Sequence, residues 1–488
     1  MSYVIALDEG TTSTRAVLYN VKTQKIEKIK CLPITQYYPK PSYVEQSALE
    51  IYSSSLATLV EVIDSVGADK VLGIGITNQR ETVIAWSKKS GKPLYNAIVW
   101  QCRRTMDYCK QIEKEYGDII AQKTGLKVDA YFSASKMRWL IDNCAEVKRA
   151  LEQGDLCFGT VETYLTYKLT GGKSFVTDYT NASRTMLFNI NAMQWDEQLL
   201  EIFGIPQNCL PKVVSPDEVV GEFDYQGNKI KIAGLAGDQQ SAMVGQGCFS
   251  RGSAKITYGT GLFMLANLGD TRRQSQKGLL TTLGYGKTPV YLFEGSVFNA
   301  GSAVQWLRDE LDFFENSSES EALALSVKDT NGVYVVPAFT GLGAPYWVSE
   351  ATGLITGITR GANKAHVTRA VLESMAYSAK DLCDVMADEG GISLCEIRVD
   401  GGASNNNFLM QFQADVLNSV VDRPIEREST ALGAVYLCEI ALGIMSIEQI
   451  ERSRISERRF TPCPNRKKYD ELYVGWQKAV KRCIYDEK

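Results

Sequence analysis

The sequence predicts an α/β protein built as two large domains, and three observations lead there. The chain has 488 residues, more than one hydrophobic core usually serves. Strand-like and helical stretches alternate along it instead of segregating. One local pattern, an apolar run, a Gly/Thr turn and a second apolar run, occurs twice, about half a chain apart.

The first copy opens the chain. Residues 3–7 are an apolar run, residues 8–13 (Asp-Glu-Gly-Thr-Thr-Ser) read as a polar turn, and residues 16–19 are apolar again. A buried strand that feeds a turn rich in backbone N–H groups is a place to hold a phosphate. Between the copies, residues 71–76 read as a strand, and residues 105–116 and 134–152 carry helical spacing. The second copy is residues 254–258, then Gly259-Thr260-Gly261, then residues 262–265. Chance likeness remains open for this pair on pattern alone. The expected domains are 1–246 and 247–488, divided where Gly245-Gln246-Gly247 interrupts the chain.

Composition excludes several function classes. Apolar residues make up 44% and charged residues 23%, as expected of a soluble globular protein, and a net charge of −4 argues against a nucleic-acid partner. Twelve cysteines include no C-x-x-C pair, which removes zinc-ribbon and thioredoxin-like readings. The first apolar run ends at Asp8, far too short for a membrane span, and no signal peptide is expected. A reducing cytoplasm follows as the expected location. With His366 as the one histidine, acid–base chemistry falls to carboxylates. No G-x-x-x-x-G-K-[ST] or G-x-G-x-x-G occurs, so neither a P-loop nor a dinucleotide-binding turn is expected to hold a nucleotide.

Several segments carry a family resemblance. Residues 7–15 (LDEGTTSTR), 131–140 (YFSASKMRWL), 353–358 with their continuation through His366 to Glu373, and 400–408 (DGGASNNNF) resemble the FGGY family of carbohydrate kinases, in order and over nearly the whole chain. Residues 77–82 (TNQRET), 96–104 (NAIVWQCRR), 177–189 (TDYTNASRTMLFN), 236–240 (AGDQQ) and 335–347 are similar to the glycerol-phosphorylating branch of that family. The resemblance implies two ribonuclease-H-like α/β domains of the actin/hexokinase/Hsp70 superfamily around a central cleft. It implies ATP and Mg²⁺ as cofactors, and glycerol as phosphoryl acceptor, giving sn-glycerol 3-phosphate for glycerol catabolism. A homo-oligomer is left open.

It also implies site residues. Thr11, Thr12, Ser13 and Arg15 match the first phosphate loop, and Asp8 the position that orients Mg²⁺, in keeping with a hard cation held by few carboxylates. Thr260 matches the second phosphate loop. Gly301 and Gln305 match nucleotide contacts, and Gly402 and Asn406 the adenosine loop. Arg80, Glu81, Tyr131, Asp238 and Gln239 match the polyol ligands, with Trp100 and Phe263 as the apolar wall. Adjacent strand residues face opposite ways, so Arg80 and Glu81 can share a ligand only at a bend or strand end. The plainer alternative for them is an exposed ion pair. Asp238 is the candidate general base, since a carboxylate can take the proton of an attacking hydroxyl. The competing reading makes it a helix N-cap, and His366 reads as structural.

The chain departs from the pattern in places. Glu9 stands where glutamine is common, unfavourable beside phosphates unless it faces away or helps hold metal. Residues 43–46 (YVEQ) replace Trp-Val-Glu-His, and residues 348–350 replace an Asp-Pro run. Residues 221–229 carry no histidine, and residues 225–229 no arginine, so neither phosphotransferase nor fructose 1,6-bisphosphate control by the family's known routes is expected. Two alternatives to glycerol phosphorylation remain: a kinase for another small polyol or sugar, and a non-catalytic actin-like ATP-binding protein.

Overall fold

The computed structural model describes residues 1–485. The chain forms two compact units. The first comprises Met1–Gly247, Thr282–Pro289 and Ser429–Ser453, and the second Cys248–Thr281, Val290–Glu428 and Arg454 onward.

The first unit is organised by a six-stranded mixed sheet. Its order is Val219–Tyr225, Asn228–Gly237, Val71–Asn78, Tyr3–Glu9, Ser13–Asn20, Lys25–Pro33. Tyr3–Glu9 is central, parallel to Val71–Asn78 and antiparallel to Ser13–Asn20. It is buried along its whole length, which is why it reads as a continuous apolar run. The strand runs on through Asp8 and Glu9, two positions assigned above to the turn. Cross-strand hydrogen bonds extend to Glu9↔Thr14, and only residues 10–12 remain to reverse the chain.

Close backbone approach fixes the helices of this unit. The helix Ser429–Ala441 packs on Asp238–Gly245, and a Cβ on Gly433 would stand 1.8 Å from the Ser241 carbonyl oxygen. No side chain fits there, so the two helices cross at backbone contact.

The second unit has its own sheet. The strands lying wholly within it run in the order Val290–Val297, Leu262–Gly269, Ala254–Tyr258, Glu396–Gly401, Val420–Pro424, Ser456–Phe460. The central strand Ala254–Tyr258 pairs antiparallel with Leu262–Gly269 and parallel with Glu396–Gly401, repeating the pairing of Tyr3–Glu9 in the first unit. The 27-residue helix Lys364–Gly390 buries Val371, Met375, Tyr377 and Leu382 in a core shared with Phe412 and Trp476. His366 sits in its first turn. The helix is capped by Asn363, whose side chain accepts from the Ala365 and His366 N–H groups, while His366 Nδ1 meets the Asn363 N–H. This reciprocal cap accounts for the histidine structurally.

Candidate active site

The first unit gathers most of the polyol set at the ends of neighbouring parallel strands. Val71–Asn78 and Asn228–Gly237 end side by side, with Asn78 paired to Gly237. The chain leaves the first strand into Gln79-Arg80-Glu81 and the second into Asp238-Gln239. Arg80 and Glu81 share one surface because the strand has already ended. The Thr82 N–H bonds back to the Arg80 carbonyl at 2.7 Å, and Glu81 lies at φ 61°, in the left-handed region that non-glycine residues seldom adopt. Three donors hold this strained turn. Ser133 Oγ donates to the Glu81 carbonyl at 3.2 Å and Lys136 Nζ at 3.3 Å, and Lys136 also donates to the Tyr131 and Phe132 carbonyls. Thr82 Oγ1 donates to Gln79 Oε1 at 2.9 Å. Lys136 is fully buried, and that burial pulls its ammonium down to about 8.

Arg80 and Glu81 are no exposed ion pair; both are buried. Arg80 Nε lies 3.2 Å from Asp238 Oδ1, and its Nη1 donates to Gln240 Oε1 at 3.2 Å. Glu81 Oε1 is 2.6 Å from Nε of Arg184, whose guanidinium also lies over the Phe132 and Tyr131 rings. Gly237 makes the Arg80 position available. A Cβ there would stand 2.6 Å from Arg80 Cδ and 2.7 Å from Cγ, inside a buried side chain with nowhere to go.

Asp238 is the first residue of the helix Asp238–Gly245, with Gly237 in the cap position and no side-chain cap bond. The N-cap alternative therefore fails. The carboxylate accepts the Gln239 N–H at 2.7 Å and the Arg80 contact on the same oxygen, and its side chain is 35% exposed. That leaves it oriented yet open to a substrate hydroxyl.

Of the expected apolar wall, Trp100 meets the Tyr131 ring edge to face at 5.6 Å, while Phe263 lies in the other unit. Trp100 Nε1 donates to Thr11 Oγ1 at 2.9 Å, so Trp100 and the turn at residues 10–12 are directly joined. The Thr11 carbonyl accepts from Gln46 Nε2 at 2.6 Å and Gln36 Nε2 at 3.1 Å. Thr12 is exposed and Ser13 half-buried beside it. Asp8 faces Arg15 across the hairpin at 2.5 Å. Glu9 points the other way. It is fully buried, accepts from Gln79 Nε2, and its carboxyl is pushed well above the usual range by burial. The metal-holding alternative for Glu9 has no support in this placement.

The second unit holds the remaining candidates, and it holds them differently. Thr260 is exposed in a turn closed by Gly259 N–H to the Gly261 carbonyl. The Thr260 carbonyl accepts from the Ala300 and Ser302 N–H groups, which ties the turn to the helix Gly301–Asp309. A Cβ on Gly301 would meet the Gly259 carbonyl oxygen at 2.4 Å, so this glycine is required by packing. Gln305 is exposed on that helix. Gly401, at φ 84°, lies against the Tyr258 backbone, whereas a Cβ on the exposed Gly402 would meet nothing within 4 Å. Asn406 caps the helix Asn407–Leu417 through the Leu409 N–H at 2.9 Å. Phe263 lies on Leu262–Gly269, half-buried and paired with Thr257 and Ser296. It belongs to this unit, unlike the other six polyol candidates.

Sequence reasoning missed Arg184, Gln79, Gln46 and Lys136. Arg184 and Lys136 stand inside stretches that carry the resemblance; only their burial distinguishes them from surface charges.

The architecture is that of the solved carbohydrate kinases: two α/β units, each with a strand–turn–strand hairpin at the centre of its sheet. A ligand-bound xylulose kinase from Lactobacillus acidophilus superposes with a TM-score of 0.88 at 22% identity, covering 99% of each chain, a likeness of fold. A glycerol kinase from Plasmodium falciparum, solved with ADP, superposes with a TM-score of 0.94 at 37% identity, covering 99% of this chain and 98% of that one. Glycerol kinases from Bacillus cytotoxicus and Bacillus thuringiensis are each 49% identical to this chain, over 98% of both partners. Residues 3–245 match the N-terminal domain, and residues 254–442 the C-terminal domain, of the FGGY family of carbohydrate kinases. The chain belongs to that family.

Proposed function

We propose that this protein transfers the γ-phosphoryl group of ATP to a terminal hydroxyl of glycerol, giving sn-glycerol 3-phosphate and ADP. The observation that carries the reading is the buried Arg80–Glu81 turn, which sets two charged groups beside the part-exposed Asp238 carboxylate in the unit that also holds the Trp100–Tyr131 ring pair. That arrangement fits a small molecule with adjacent hydroxyls and a C–H face. Nearly full-length identity of 49% to glycerol kinases favours the same acceptor.

The geometry supports the following roles. Arg80 donates to one substrate oxygen while holding Asp238, and Glu81, held by Arg184, accepts from a second hydroxyl. Asp238 takes the proton of the attacking hydroxyl as the oxygen–phosphorus bond forms and the bond to the departing ADP oxygen breaks. Thr11, Thr12, Ser13 and Arg15 bind phosphate oxygens on the acceptor side. Thr260, Gly301, Gln305, Gly402 and Asn406 bind the nucleotide, and the empty space beside Gly402 leaves room for a flat base.

Mg²⁺ fits the residues present. No cluster of three metal-ligating side chains occurs among the described residues, but a Mg²⁺ held mainly by nucleotide phosphates and water needs only one carboxylate. Asp8, on the strand entering the phosphate loop, is that carboxylate in this proposal, with Arg15 orienting it. When bound, the ion neutralises charge on the transferring phosphoryl group.

No helix among the described residues is long and apolar enough to cross a membrane. The buried free thiols Cys102, Cys109, Cys144 and Cys157 support placement in the reducing cytoplasm. A coupled assay for ADP release is the test. Release that depends on glycerol, and that stays at background with pentoses and larger polyols, is the expected result. Glycerol-independent release, or preference for another acceptor, overturns the proposal.

A further inference from the structure

A buried polar hub lies behind the strand ends that lead into Arg80 and Asp238, in residues given no role so far. Asp178 caps the short helix Tyr179–Ala182. One of its oxygens accepts from the Thr180 N–H at 2.6 Å and from the Thr180 hydroxyl, and the other accepts from Asn181 Nδ2 at 2.7 Å. Two arms leave this carboxylate. Along the first, the Thr180 hydroxyl, its proton already given to Asp178, accepts the Gly237 N–H at 3.0 Å, immediately before Asp238. Along the second, Asn181 and Asn78 exchange amide hydrogen bonds, both at 3.0 Å, and the other proton of Asn78 Nδ2 goes to the Gln79 carbonyl at 2.9 Å, immediately before Arg80. Asp178, Thr180, Asn181 and Asn78 are all fully buried.

The directions of these bonds are forced. Asn181 Nδ2 spends both hydrogens, one on Asp178 and one on Asn78. Asn78 Nδ2 spends both of its own, on Asn181 and Gln79. The Gly237 N–H is a donor only, so the Thr180 oxygen accepts it, and with Asp178 ionised the Thr180 hydrogen turns toward the carboxylate. A network in which each donor has one destination holds one geometry, and buried networks of this kind are sensitive to loss of any member. Helix packing alone would need no carboxylate here. Burial, together with the nearby Glu162 carboxyl, pushes Asp178 up to about 7, so the fold tolerates an acid in a place that disfavours its charge.

We propose that Asp178 is a positioning residue for phosphoryl transfer, fixing the spacing between the base-bearing strand end at Gly237 and the polyol-binding turn at Gln79 through Thr180 and Asn181. The proposal rests on the reading of Asp238 as general base. It requires that Thr180 act on the reaction through Asp238 and not through general stability.

A double-mutant cycle tests it in the full-length chain, with Thr180→Val, Asp238→Asn and the pair assayed for glycerol-dependent ADP release. Thr180→Val keeps the shape but leaves the Gly237 N–H without its acceptor. It should lower kcat by about tenfold, with KM for ATP within about twofold of the parent, and Thr180→Ser should restore turnover. In the Asp238→Asn background Thr180→Val should cost less than about twofold, because the group it positions is gone. A cost of about tenfold in both backgrounds, or no cost in the parent, overturns the positioning role while leaving Asp238 as the base. Near-normal turnover of Asp238→Asn by itself overturns the base reading instead. If Thr180→Val does not fold, Asp178→Asn runs the same cycle. Its amide presents hydrogens to Asn181, so non-additivity with Asp238→Asn supports the hub and full additivity sinks it.

Discussion

The candidate residues of the two units are built from different materials. In the first unit the polyol candidates are buried or half-buried side chains, several of them locked by partners far away in sequence: Arg80 with Gln240, Glu81 with Arg184, Trp100 with Thr11. In the second unit they include exposed turns and glycines, such as Thr260 and Gly402, held through backbone groups and not through paired side chains. The difference follows from the ligands each half is proposed to meet. A small polyol has little surface, so its recognition depends on a few charged groups fixed in advance, and fixing charges in the interior requires full pairing. A nucleotide offers phosphates and a flat base, which backbone N–H groups and side-chain-free glycines can approach directly.

This contrast predicts that single substitutions in the first unit cost far more than those in the second. The largest effect belongs to Asp238→Asn, which should lower kcat by roughly 10²–10⁴-fold in steady-state assays. ATP binding, followed by titration calorimetry, should be little changed, since Thr11, Thr260 and Gly402 and the other phosphate and nucleotide candidates are untouched. Arg184→Met comes next. It removes the 2.6 Å partner of the buried Glu81 carboxylate and leaves Arg80 at 3.8 Å, and urea unfolding should show a loss of about 3 kcal/mol along with weaker glycerol binding. A loss below about 1 kcal/mol would mean that the polyol half is not held by its buried pairs, and the comparison would break.

A smaller effect concerns pH. Asp178 keeps its proton up to about 7 in the folded chain, against 3.8 for an ordinary aspartate. Between those values the folded state binds a proton that the unfolded state has released. The contribution of this group to stability is full below about 4, falls as pH rises, and is lost above about 7. Replacing Asp178 by Asn removes that dependence. The urea midpoint of the variant should therefore gain on the parent between pH 4 and 7 and run parallel to it above. A gap that stays constant with pH would show that burial does not hold the proton there.

The smallest effect sharpens the comparison from the other side. Gly402→Ala adds a methyl group where the protein offers no contact, at a backbone that does not require glycine, so stability should stay within about 0.5 kcal/mol. KM for ATP should nevertheless rise several-fold, because the methyl group enters space assigned to the nucleotide. An unchanged KM would remove Gly402 from the proposed nucleotide site.

Two departures from the family pattern prove to be neighbours. Glu9 and Gln46 both receive a hydrogen bond from Nε2 of Gln79, at 3.1 and 2.8 Å. Glu9 turns inward beneath the phosphate loop, and Gln46 donates in turn to the Thr11 carbonyl. Read separately in the sequence, one was an unwelcome charge and the other lay outside the ligands. In the fold they adjoin one amide, which links the phosphate loop to the turn bearing Arg80 and Glu81.

Much was legible from the chain alone. The strands at residues 3–7 and 71–76 were readable because buried parallel strands leave runs with few polar residues, and residues 254–258 by the Gly-Thr-Gly turn that follows them. The helical stretch at 134–152 resolved into two helices, Ser133–Asn143 and Ala145–Glu152, because periodicity persists across a one-residue break at Cys144. The family, and with it the expected reaction, was carried by short segments whose identity does not depend on where they lie in space.

The tertiary structure decided what those segments do for one another. Nothing in the sequence marks Glu81 for the left-handed region, because that conformation is imposed by Ser133 and Lys136, more than fifty residues away. Nor could the sequence separate a cap from a free carboxylate at Asp238, or a surface charge from a buried pair at Arg184. Residue type and local spacing determine which elements form. The state of a charge depends on its desolvation and on partners brought from distant parts of the chain, and those exist only once the chain has folded.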